Sequence, residues 1–243
     1  ILVAMWEYGR KPWFFNSGGP GSGLHVTFDG GDTWSKRTDA DGLPNGPLGR
    51  IGLAIARSKS QIIYALVEAK ENGLYKSTDG GFKWTLVGKG EGVSDRPFYY
   101  HEIYVDPKNE NRIYNLFSLV TRSEDGGKTF QTLLPYYGVH PDHHAFWIHP
   151  EDPNYLIDGN DGGLNISRDM GKTWRFIENI PVGQFYHVNY DMSIPYRIGG
   201  GMQDNGVWAG QNNYKYSVDW YQEGKYPYES LMGGDGMQTQ IDR

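Results

Sequence analysis

Two aspartates stand in glycine-rich turns where chemistry is possible: Asp161 in Asn160-Asp-Gly-Gly163 and Asp204 in Gln203-Asp-Asn-Gly206. Paired carboxylates hydrolyse a glycoside when one protonates the leaving oxygen and the other serves as base or nucleophile. Asp142 and Asp235 are the further candidates for such a pair. The competing role is structural, because an aspartate in an Asp-Gly turn holds its own backbone. A second group, His140, Asp142, His143 and His144, has the donors that divalent ions take. Adjacent residues at a strand entry point to opposite faces, so at most one of His143 and His144 can join Asp142. The expectation is therefore hydrogen-bonded histidines, with no metal and no cofactor. A third group can bind without reacting. Tyr99, Tyr100 and His101 follow Arg96 closely, and Gln203, Tyr137 and Tyr186 occur in comparable segments. Their rings suit a glycan or peptide, and Arg96 suits a carboxylate.

The elements that must position these residues come from a repeat. Four segments match: Phe28-Asp-Gly-Gly-Asp-Thr-Trp34, Ser77-Thr-Asp-Gly-Gly-Phe-Lys-Trp84, Ser123-Glu-Asp-Gly-Gly-Lys-Thr-Phe130 and Ser167-Arg-Asp-Met-Gly-Lys-Thr-Trp174. Their aspartates, Asp29, Asp79, Asp125 and Asp169, recur every 44 to 50 residues. That period suits a four-stranded propeller blade of about 40–50 residues. Within the turn the aspartate accepts backbone N–H groups, the glycine supplies freedom, and the closing ring enters the layer between blades. These four aspartates are read as structural.

Apolar strand cores bounded by Gly, Pro, Asn and Asp divide the intervening sequence. The clearest unit predicts strands over 144–149, 155–160, 164–168 and 173–177. The same register predicts strands over 50–56, 61–67, 74–77 and 83–87, over 101–105 and 112–116, and over 184–190 before a turn at 204–206. The chain is thus expected to be all-β, a β-propeller segment over 1–243. It would hold a partial blade (1–38), blades at about 49–88, 97–134, 143–178 and 184–223, and the start of another (235–243). Residues 1–6 read as a second strand without its first, and 237–241 as a first strand alone. The remaining blades would belong to a longer chain, since propellers close as rings. Strand order also sorts the surface. The repeated aspartate turn follows the third strand, so second-strand turns and inter-blade links lie on the opposite face, together with Arg96, His143, Asp161 and Asp204.

Composition excludes several partners. With 23 Lys+Arg against 29 Asp+Glu, the net charge is −6, which disfavours a nucleic-acid partner. No run approaches the roughly 20 apolar residues of a membrane span. There is no cysteine, so neither disulfides nor cysteine-ligated zinc contribute. The 18 Tyr, 10 Phe and 8 Trp supply much of the area that can be buried.

The aspartate turns resemble the Asp-boxes of BNR-repeat proteins: sialidases, sortilin-type receptors and xyloglucanases. Longer strings, among them Arg10-Lys-Pro-Trp13, Gly18-Gly-Pro-Gly-Ser-Gly23, Arg96-Pro-Phe-Tyr-Tyr100, Asp142-His-His-Ala145 and Gln203-Asp-Asn-Gly206, resemble a bacterial family of large sortilin-like propellers labelled glycosyl hydrolases. The resemblance covers essentially the whole chain. It implies a longer, exported protein, periplasmic, surface-bound or secreted. Xyloglucanases carry a catalytic aspartate in a Thr-Asp-x-Gly-Gly turn; Asp161 takes a similar place, with Asn160 where the threonine would be. The arginine triad of sialidases has no match here. The expected function is binding of a peptide, protein or glycan on the face opposite the Asp-boxes. The alternatives are a xyloglucanase-like hydrolase using Asp161 with Asp204 or Asp235, and a structural subunit of a surface assembly.

Overall fold

In the computed structural model, residues 1–90, 92–177, 180, 182–215, 217–218 and 226–241 are described. They contain strands and one short 3-10 turn (Asp39–Asp41), and no α-helix. Two compact units form: residues 1–160 with 164–176, and residues 161–163 with 177–243.

The first unit opens with β1 (Leu2–Met5), a hairpin of β2 (Tyr8–Lys11) and β3 (Phe14–Ser17), then β4 (Gly23–Val26) and β5 (Ser35–Arg37). Strands β1, β4 and β5 form a three-stranded sheet, while β2 and β3 pair only with each other. Three four-stranded sheets follow. They comprise β6 (Ile51–Ile55), β7 (Ile63–Val67), β8 (Gly73–Ser77) and β9 (Thr85–Gly88); β10 (Ile103–Asp106), β11 (Asn109–Leu116), β12 (Val120–Ser123) and β13 (Gln131–Leu134); and β14 (His143–Ile148), β15 (Leu156–Asn160), β16 (Gly163–Ser167) and β17 (Arg175–Phe176). Each is an antiparallel meander in chain order.

Strand β7 shows why such sheets stack. All five of its residues are buried, although successive side chains point to opposite faces. Ile63, Ala65 and Val67 enter one core with Leu24, Ile51 and Trp84. Tyr64 and Leu66 enter the next, with Leu74, Ile103 and Ile113. A third core collects Tyr114, Leu116, Leu134, Phe146 and Leu156. Removing one such side chain, as in Leu66→Ala, costs about 2–5 kcal/mol through lost transfer energy and the cavity left behind.

Three of the aspartate turns join the third and fourth strands of their sheets, and the Asp29 turn joins β4 and β5, the last two strands of the three-stranded sheet. Asp125 is representative. Its Oδ1 accepts the N–H groups of Lys128 and Thr129, both at 3.0 Å, and its Oδ2 accepts the Thr129 hydroxyl at 2.7 Å. The Ser123 hydroxyl donates to Oδ1 at 2.8 Å and accepts the Gly127 N–H at 2.9 Å. Asp29, Asp79 and Asp169 are held in the same way. These donors, with Thr129 first, bring Asp125 down to about 2. The Thr173 hydroxyl and N–H bring Asp169 to about 2 as well. The residue after the aspartate is left-handed in every box, a glycine in three and Met170 (φ 60°) in the fourth.

The second unit is one antiparallel sheet of β18 (Phe185–Tyr190), β19 (Arg197–Met202), β20 (Val207–Gln211) and β21 (Tyr228–Met232). Its fourth strand lies beyond the boundary expected at 223, part of the expected segment (219–223) falling outside the described residues. Residues 237–241 form no strand, unlike the expectation; a strand needs a ladder partner, and these residues have none. Strand β11 starts three residues earlier than expected, turning tightly from β10 through Asp106↔Asn109.

Candidate functional site

In the first unit the segments opposite the Asp-boxes converge. Glu68, just after β7, is the anchor. One carboxylate oxygen accepts the Ser17 hydroxyl at 2.6 Å and the Arg50 N–H at 2.7 Å. Ser17 Oγ in turn accepts the Trp6 indole N–H at 3.0 Å, fixing the β2–β3 hairpin. The Arg50 guanidinium donates to the Phe98 and Tyr99 carbonyls at 3.1 and 3.3 Å and lies 4.8 Å from the Trp6 ring. Phe15 meets Phe98 at a centroid distance of 5.0 Å. The hairpin is an element that the strand pattern read from the sequence did not include. Its signal was there: two short aromatic runs flanking Lys11-Pro-Trp13.

Arg96 sits above this junction, its guanidinium carbon 4.9 Å from the Tyr99 ring and 5.8 Å from those of Phe98 and Tyr100. Its backbone is left-handed (φ 48°), and its carbonyl accepts the Tyr99 and Tyr100 N–H groups. Tyr99 is exposed. Tyr100 and His143, two residues of the expected binding set, are buried. The Tyr100 hydroxyl donates to Asp142 Oδ1 at 2.5 Å and stays protonated well above the usual phenol range, through burial first and the Asp142 bond second. Asp142 is itself left-handed (φ 64°). The His143 Nδ1 N–H donates to Asp158 Oδ1 at 2.8 Å, with both side chains fully buried. Asn160 and Asn165 direct their amides at Asp158 Oδ2, at 3.1 and 3.4 Å. Tyr100 and His143 thus hold Asp142 and the start of β14 in place.

His144 stacks on Tyr100 (5.6 Å) and meets Tyr99 edge-on (5.3 Å). His101 lies 3.3 Å from the Glu102 carboxylate; burial lowers its pKa against the pull of Glu102, and nearby Arg50 lowers it further. Among the described residues no group of three or more His, Asp or Glu is arranged to hold a metal.

In the second unit Asp235 Oδ1 accepts the Asp204 N–H at 3.1 Å and the Tyr186 hydroxyl at 3.3 Å. Desolvation, then the Asp235 charge, raises the Tyr186 pKa. Asp204 is left-handed (φ 56°). The Asn205 amide bridges the Asp161 and Gln203 carbonyls, both at 2.9 Å, and the Trp208 indole caps the Asn205 carbonyl at 2.7 Å. Asp161, Gln203, Asp204, Tyr186 and Asp235 therefore belong to one connected group. An apolar cavity of about 450 Å³ in this unit is lined by Phe185, Val188, Ile198, Met202, Trp208 and Tyr228 among others, and by none of those five.

No protein-family model and no curated protein matches the chain. Solved structures do. A GH74 enzyme from Niastella koreensis aligns at 17% identity and a TM-score of 0.50, over 78% of this chain and 33% of that one. The GH74 xyloglucanase from Xanthomonas campestris aligns at 14% identity and 0.45, over 66% and 29%. YCF48 bound to D1 peptide aligns at 14% and 0.48, over 78% and 58%. The chain spans a third or less of the two GH74 enzymes. At such identities the likeness is one of fold. With the four-stranded antiparallel sheets, it makes this chain a β-propeller segment.

Proposed function

We propose that this chain belongs to an exported, sortilin-like BNR propeller that binds a peptide, protein or glycan on the face opposite the Asp-boxes. The observation that carries this reading is backbone strain. Among the described residues, four that are not glycine have positive φ. Met170 replaces a box glycine; of the other three, Arg96 and Asp142 belong to inter-blade links of the first unit and Asp204 to a second-strand turn of the second. Left-handed non-glycine residues are held at a cost of about 1–3 kcal/mol each and cluster at ligand sites. The test is an array of glycans and peptides probed with the complete protein. Binding that Arg96→Ala and Asp204→Ala leave untouched would remove this face from the function.

A hydrolytic reading has its own support, in the turns of Asp161 and Asp204 joined through Asn205 and in Asp235 beside Asp204. On this reading Asp161 and Asp204 or Asp235 flank a glycosidic bond, as acid and base or nucleophile. Release of reducing ends from xyloglucan by the complete protein, reduced at least about a thousandfold in Asp161→Asn, is the expected result. Equal release by wild type and variant would take Asp161 out of the chemistry.

A further inference from the structure

The β2–β3 hairpin places a second arginine beside Arg96's ring cluster. Register pairs Arg10 with Phe15, so their side chains leave the same face of the hairpin. Phe15 packs on Phe98, and Phe98 lies under Arg96. Arg10 is therefore the cross-strand neighbour of Phe15, while the Arg96 guanidinium lies over Phe98, so each element brings one arginine to the aromatic pair. Both arginines are exposed. Among the described residues neither makes an ion pair, and none of their side-chain donors is used. In a chain of net charge −6, two arginines left without carboxylates around one aromatic pair call for an anion from outside.

We propose that this junction binds an acidic oligosaccharide, a chain of uronic acid units, with carboxylates on Arg10 and Arg96 and sugar faces on the hairpin rings. The proposal rests on the binding reading above and names its ligand class. A stacked guanidinium keeps its edge donors available for bidentate contact with a carboxylate. The rings favour a sugar over a peptide side chain. Trp13, in the hairpin turn, and Tyr8, on the face of Arg10, are 81% and 58% exposed. They stand out as platforms, whereas side-chain anchors of a peptide need desolvated pockets. A pyranose needs one flat face and supplies its own polar edge.

The experiment is calorimetric titration of the complete protein with hexagalacturonate, with its fully methyl-esterified form, and with hexaglutamate. Expected is binding of hexagalacturonate that weakens with salt, falls about tenfold or more in Arg10→Ala and in Arg96→Ala, and is lost on esterification. Arg96→Lys should recover only part of it, since a lysine lacks the planar fork. Arg10 lies in a hairpin with ordinary backbone angles, so its variant stays informative if Arg96→Ala fails to fold. Equal binding of the ester overturns the acidic ligand while leaving the binding face intact. Tighter binding of hexaglutamate overturns the sugar. No binding of any of the three overturns this proposal; the face-level reading then stands or falls on the wider array.

Discussion

Replacing Asp158 with alanine tests whether the buried His143–Asp158 contact organises the start of β14. Asp158 is fully buried and receives the His143 imidazole and two asparagine amides. Alanine leaves three donors without that acceptor. Stranding the buried His143 N–H costs about 2 kcal/mol, within the 1–3 kcal/mol range for an unsatisfied buried donor. Asn160 is only half-buried and can turn toward water, so about 1 kcal/mol is appropriate. The Asn165 bond is long, at 3.4 Å, and adds less. The sum is about 3–4 kcal/mol, which for a domain of this size lowers Tm by about 10 °C. Thermal unfolding followed by circular dichroism measures it directly. A double-mutant cycle with His143→Ala should give a coupling of about 1–2 kcal/mol, because the second truncation removes the stranded donor. A shift of under about 2 °C in Asp158→Ala, or strictly additive losses in the cycle, would refute the argument.

Two further outcomes concern the frame around the site. Asp125 and Asp169 titrate near 2 in the fold, below the unfolded value of about 3.9. Folded pKa values below the unfolded ones mean stability that is present above about pH 4 and lost as pH falls toward 2. Asp125 is exposed and Asp169 is partly so, and solvent therefore screens the effect. The wild-type Tm should still fall more steeply over that window than in Asp125→Asn combined with Asp169→Asn; parallel curves would contradict it. Gly52 offers the second outcome. A Cβ there would stand 1.8 Å from the His101 carbonyl oxygen, a backbone atom that cannot swing aside. Gly52→Ala should cost at least the 1–3 kcal/mol typical of overpacking, although alanine normally favours a strand over glycine. An unchanged urea midpoint would show that the two first strands have room to separate.

The blades were legible because each signal is local. Asp-Gly-Gly strings mark a turn, and alternation of apolar residues marks a strand, so β6 to β9 and β14 to β17 follow from residues close in sequence. The hairpin was harder. Its strands, Tyr8–Lys11 and Phe14–Ser17, interrupt a blade between second and third strands, where the period predicts a plain turn. The His143–Asp158 contact was not legible at all. Strand β14 pairs His143 with Asn160 and then skips a residue before Ala145. That bulge decides which of two adjacent histidines turns inward, and no spacing rule states it. Asn165-Ile-Ser167 has the form of a glycosylation acceptor, yet Asn165 is buried and its amide is directed at Asp158, which the three-residue pattern does not reveal.

The contrast between the two sets of aspartates follows from how many donors each turn spends on its own carboxylate. In an Asp-box, backbone N–H groups and one or two hydroxyls converge on one side chain within seven residues. A carboxylate so held gains nothing by moving toward a substrate and resists protonation, the opposite of what a general acid requires. In the segments opposite, the polar groups act between segments. Glu68 ties a hairpin to a link, Asp142 receives a hydroxyl from Tyr100, and Asp235 receives a backbone N–H from the Asp204 turn. Contacts of that kind fix loops relative to one another, which is the pre-organisation a binding surface needs. The strained backbone at Arg96, Asp142 and Asp204 is then intelligible, because cross-segment bonds can hold a left-handed residue that its own turn could not.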